Sequence, residues 1–146
     1  MKKAIPHVAR VLLGLAFFVF GLNGFLNFLP TPPHPGPAGN FLGALAATGY
    51  MFPLIKGTET LAGALLLSNR FVPFALTILA PVALNIVLFH VALDPSGAGV
   101  GIVLFALGLY LAWTRRASFA PLFVAKDETN ESTVSTSRAR EPVAAE

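Results

Sequence analysis

In the stretch YMFPLIKGTETLAGALLLS, residues 50–68, a lysine and a glutamate stand three positions apart inside a run otherwise apolar enough to enter a membrane. On a helix that spacing puts Lys56 and Glu59 on one face, where ammonium and carboxylate can pair. Either charge alone would cost about 2.5–3.5 kcal/mol at a bilayer centre, so the two are expected to face protein or water. Intramembrane charge points by default to function, and structural pairing weighs evenly against that use. Farther along, LNIVLFHVALD carries Asn85, His90 and Asp94. His90 and Asp94 are four apart, so the carboxylate can hold the imidazole in one tautomer or stabilise its cation. Asn85 lies about 140° round the helix from His90, which predicts that the two do not serve one small ligand from a single face. Asn23 and Asn27 make a polar stripe in the first apolar run, where interhelical hydrogen bonding explains Asn23 better than ligand contact does. His7 and His34 read as surface residues.

Other chemistries lack their residues. The chain has no cysteine, which excludes disulfides, iron–sulfur ligation, thiol redox catalysis and haem attached through cysteine. No HxxxH or HExxH spacing occurs, so no metal site is predicted. Phosphate-binding glycine loops, nucleophile elbows and catalytic triads are also missing; GLNG and GAGVG suit helix packing and a turn.

The elements that must position these side chains follow from composition. Of 146 residues, 55% are hydrophobic and 12% charged, and the mean hydropathy is +0.71. A soluble domain carries about 25% charge, so an integral membrane protein is expected. The net charge of +3 comes from residues flanking the apolar runs, which argues for membrane topology and against nucleic acid. The expected fold is all-α: a membrane four-helix bundle over residues 1–124 with spans at about 8–29, 50–68, 71–93 and 97–113. The first run is longer than a signal-peptide core and lacks a small-x-small cleavage site, so it is expected to be retained. PTPPHPGPAGN, residues 30–40, holds five prolines and is expected to be non-helical. FLGALAAT, residues 41–48, is too short to span and reads as an interfacial or re-entrant helix. Pro81 is expected to kink the third span. Residues 125–146, rich in Ser, Thr, Glu, Ala and Arg, are expected to be a disordered tail.

Lys2, Lys3, Arg10, Arg70, Arg115 and Arg116 cluster at one set of span ends. Both termini are therefore expected in the cytoplasm, and the proline-rich loop and DPSG turn outside. In that topology Lys56, Glu59, Asn85, His90, Asp94 and Asn23 all fall in the outer half. A polar pocket open toward the outside, or toward the outer leaflet, is the economical reading.

The segments ATGY, PLIK with the following Glu59, LAGALLLSNRFVPFAL, APVALNIVLFH and RVLLGLAFFVFGLN together resemble the DoxX and DoxX-like family of small four-span membrane proteins. The resemblance covers about residues 10–123, closing with RRASFAPLF. Some members resemble a subunit of a thiosulfate:quinone oxidoreductase, and others are associated with redox complexes of bacterial membranes. The resemblance implies a quinone-linked role in the bacterial inner membrane, with redox partner subunits or a homo-oligomer as partners beside the bilayer. In that picture Lys56, Asn85 or His90 donates hydrogen bonds to a quinone carbonyl, while Glu59 and Asp94 pair with the cations and can relay protons. The competing readings are a non-enzymatic scaffold whose charges lock the helices together and, third, a small transporter, against which the inner half offers little polar lining.

Overall fold

A computed structural model describes residues 4–30 and 33–124, and everything described in it is helix, turn or loop. The predicted tail, residues 125–146, lies outside the described residues. The chain divides into two compact units, Met1–Arg116 and Ala117–Glu146. Among its described residues the first holds five long α-helices, α1 (Ala4–Leu26), α2 (Gly36–Ala47), α3 (Met51–Leu67), α4 (Val72–Ala92) and α5 (Ala98–Thr114), with a 3-10 turn at Pro95–Gly97 before α5. In the second, a 3-10 turn runs over Ala120–Phe123.

Each helix end has a local cause. Helix α1 stops before the predicted residue 29 because Asn27 turns left-handed, φ 50°, while its N–H still bonds the Asn23 carbonyl at 2.8 Å. Helix α2 starts inside the segment expected to be non-helical. Its breakers act only up to Pro35, the N-cap; Pro37 falls in the first turn, where a missing N–H costs nothing. Between α2 and α3 the Thr48 hydroxyl accepts from Met51 N–H at 3.1 Å, Gly49 takes φ 74°, and the two helices meet at 93°. Helix α4 is one continuous helix across Pro81.

Helices α1 and α3 pack most closely, and glycines let them. A Cβ on Gly14 would lie 3.0–3.2 Å from Leu66, Leu67 and Gly63 atoms; one on Gly21 would lie 2.6 Å from the Thr60 amide nitrogen. Gly63 returns the contact against the Phe18 backbone. Small residues at such crossings allow backbones to approach where packing, not water exclusion, drives association. Leu13, Phe17, Ala62 and Leu66 fill this seam, and Ala75, Leu79 and Leu111 continue the core toward α4 and α5. Arg10, counted in the sequence as a flanking charge, is buried and donates to the Leu66 and Leu67 carbonyls in the last turn of α3.

Helices Ala4–Leu26, Val72–Ala92 and the stretch Pro95–Thr114 are long and apolar enough to cross a membrane. The 17-residue α3 meets that criterion only together with α2, as a bent pair. Large apolar side chains such as Leu88, Val100 and Val103 point outward, and α5 buries only Gly101 and Leu111.

Candidate functional site

The α1 glycines also seat the charge pair. A Cβ on Gly21 would press on that of Glu59 at 2.9 Å, and one on Gly24 would collide with the Lys56 stem, so both side chains lie against bare α1 backbone. From there the Lys56 ammonium donates to Glu59 Oε2 at 2.8 Å, as an i,i+3 pair on α3. The glutamate is buried, while the lysine keeps about a quarter of its side chain accessible.

That accessible side opens on a half-open cavity of about 120 Å³ bordered by α2, α3 and α4. Helix α2 contributes Phe41, Leu42 and Leu45 as one wall; α3 contributes Phe52, Ile55, Lys56 and Glu59; α4 contributes Asn85, Ile86, Phe89 and His90. Lys56, Glu59, Asn85 and His90 therefore border a single space. Although about 140° apart on α4 at 100° per residue, Asn85 and His90 both border the cavity, with Asn85 at its exposed side.

Asn23 and Asp94 are not part of the lining. Asn23 is buried, but its partner is local and not interhelical: the side-chain oxygen accepts from Leu29 N–H at 2.6 Å and its amide donates to the Leu29 carbonyl at 3.3 Å, tying down the chain as it leaves α1. Asp94 sits beyond α4 at the rim, as a hub. Its Oδ1 accepts from the Ser96 hydroxyl at 2.5 Å and its Oδ2 pairs with His34 Nδ1 at 3.0 Å. The Ser96 hydrogen bond holds the Asp94 carboxyl below the usual carboxylate range; partial burial opposes this and the nearby His34 reinforces it.

His34 is thus not a free surface residue. It packs edge-on against Phe89, with ring centroids 5.8 Å apart, and Phe41 meets the same Phe89 at 5.8 Å. Gly39 leaves room for the His34 carbonyl, so this histidine is folded against the first turn of α2. Proline-rich sequence gave no hint of this pairing, since nothing in the spacing of residues 34 and 94 links them.

His90 is held differently from the sequence expectation. Its Nδ1 lies 3.0 Å from the Asp94 backbone carbonyl and 3.8 Å from the carboxylate, so the carbonyl is the closer partner. A carbonyl can only accept, which puts the proton on Nδ1 and leaves Nε2 of the neutral ring as an acceptor. The ring lies over Gly97, where a Cβ would collide with it, and its Cδ2 stands 3.5 Å from the place of a Cβ on Gly101. Of the glycines in GAGVG, Gly97 makes room for the imidazole. Among the described residues no cluster of three or more His, Cys, Asp or Glu side chains could hold a metal ion.

The chain is similar to the uncharacterized protein YwoB of Bacillus subtilis (strain 168), with 32% identity over 131 residues, covering 84% of each chain. No family model matches it, and no solved structure does. The chain belongs to the family of YwoB.

Proposed function

We propose that this member of the YwoB family is a DoxX-like, four-span protein of the bacterial inner membrane that binds a quinone-type lipophilic molecule in the cavity between α2, α3 and α4. It would act there as a quinone-linked subunit of a redox complex. The observation that carries this reading is an ion pair set into an otherwise apolar, aromatic wall: Lys56 and Glu59 beside Phe41, Phe52, Ile55 and Phe89. Such a wall suits a flat apolar ring, and the ammonium, with one proton spent on Glu59, has others to give to a ligand oxygen. A bound quinone would supply the electron-carrying chemistry; the chain's own part is to seat the ring, present polar groups to its oxygens and exclude water.

Four spans follow if α2 and α3 enter together, α2 at the interface or re-entrant and α3 across the core. Arg10 lies against the last turn of α3, Arg70 follows that helix and Arg115 and Arg116 follow α5, whereas the cavity draws on the first half of α3 and the last turns of α4; by the positive-inside rule this supports cytoplasmic termini and a cavity near the outer leaflet. Calorimetric titration of the purified protein with a short-tailed benzoquinone, in oxidised and reduced forms, tests the assignment. Binding is expected to weaken at least about tenfold in Lys56→Met, as for loss of a charge-assisted hydrogen bond. Binding of neither form, or unchanged affinity in that variant, removes it.

One observation favours the scaffold reading. Glu59 pairs with Lys56 on its own helix, and both lie on the α1 glycines, as a locking pair would. On that reading Lys56→Met with Glu59→Leu, made jointly, leaves cellular function intact.

A further inference from the structure

We infer that the cavity selects an aromatic diol, the reduced form of its ligand, over the corresponding dione. The inference rests on the cavity reading above and concerns which hydrogen-bonding groups remain free at its two polar sides. On α3, Glu59 uses Oε2 for Lys56, and a carboxylate offers only acceptor positions on its other oxygen. On α4, His90 spends its Nδ1–H on the Asp94 carbonyl, and among the described residues its Nε2 has no hydrogen-bond partner. With the proton on Nδ1, the other ring nitrogen of His90 is offered to a ligand as an acceptor. A dione brings two more acceptors; it can take protons from Lys56 and the Asn85 amide but leaves Glu59 and His90 Nε2 with nothing to accept. A diol brings a hydroxyl to each side: one can receive from Lys56 while donating to Glu59, and the other can donate to His90 Nε2.

His34 and Ser96 belong to the same device as positioning residues. They fix the Asp94 side chain from two directions, at 3.0 and 2.5 Å, so that its carbonyl stays on His90 Nδ1. Gly97 supports the other side of the ring. The imidazole is thus held in one tautomer by second-sphere contacts, as happens for histidines whose unbound nitrogen has a set task.

The test uses the full-length protein in detergent and three probes sharing one ring and short tail: a benzoquinone, its hydroquinone, and the hydroquinone dimethyl ether. The hydroquinone is expected to bind at least about tenfold more tightly than either other probe, since a site built to receive hydroxyl donors discriminates against ligands without them. In His90→Phe, which keeps a ring over Gly97 and removes the acceptor, the preference is expected to shrink while the benzoquinone still binds. Benzoquinone binding as tightly as hydroquinone, or the dimethyl ether matching it, overturns the inference and leaves the cavity reading standing. Binding by none of the three overturns both.

Discussion

At the scale of single residues, buried polar side chains are few among the described residues, namely Arg10, Asn23 and Glu59, and each has a hydrogen-bond partner. Removing one half of a buried pair exposes what the other half costs. Lys56→Met leaves the Glu59 carboxylate buried without a counter-charge, so the variant is expected to lose about 3–5 kcal/mol of stability; adding Glu59→Leu should recover most of it. Thermal unfolding in one detergent reads both. Recovery in the double variant would also separate fold stability from ligand binding, which the double variant still loses. Asp94 contributes a pH dependence. Its carboxyl titrates below the usual range, so its ionised form contributes stability that is full above the ordinary carboxylate pKa and is lost as pH falls through the depressed value. Ser96→Ala removes the largest cause, and carbon-detected NMR of the Asp94 carboxyl should then show titration moved up toward the ordinary value. A titration that stays put would assign the depression elsewhere.

At the scale of elements, glycine position decides how closely helices meet. Gly21→Ala sets a Cβ 2.6 Å from the Thr60 nitrogen, and since backbone cannot yield as a side chain can, a loss of about 1–3 kcal/mol is expected. Gly57→Ala on the partner helix meets nothing within 4 Å and should gain about 0.5–1 kcal/mol from helix propensity. Equal effects at the two sites would mean that α1 and α3 do not cross as described. The helices themselves were legible in the sequence to within a few residues, because apolar runs bounded by proline, glycine and asparagine leave little choice. Less legible was α2, whose N-terminal half hides in a proline-rich segment and depends on Pro35 and Pro37 falling where helices tolerate proline. Arg10 shows a similar limit: a positive charge beside an apolar run reads as a flanking anchor, and its use on the α3 carbonyls depends on a contact between distant segments.

At the scale of the whole molecule, the cavity exists because α2 folds back over α3 and α4. Chain spacing predicts that Lys56, Glu59, Asn85 and His90 lie at similar depth. It does not predict the aromatic wall of Phe41, Phe52 and Phe89, nor the tie from His34 to Asp94, since both require the 93° turn at Gly49. The placement of α2 is therefore the claim on which cavity, ligand and selectivity all depend. Because the chain has no cysteine, engineered thiols test it cleanly. Phe41→Cys with Phe89→Cys replaces two rings whose centroids are 5.8 Å apart, and Phe41→Cys with Ile5→Cys joins α2 to an exposed residue at the far end of α1. A short bifunctional thiol reagent, applied to protein in native membranes, is expected to close the first pair readily and leave the second open. Failure of the first pair to close in protein that retains its thermal transition would contradict the account.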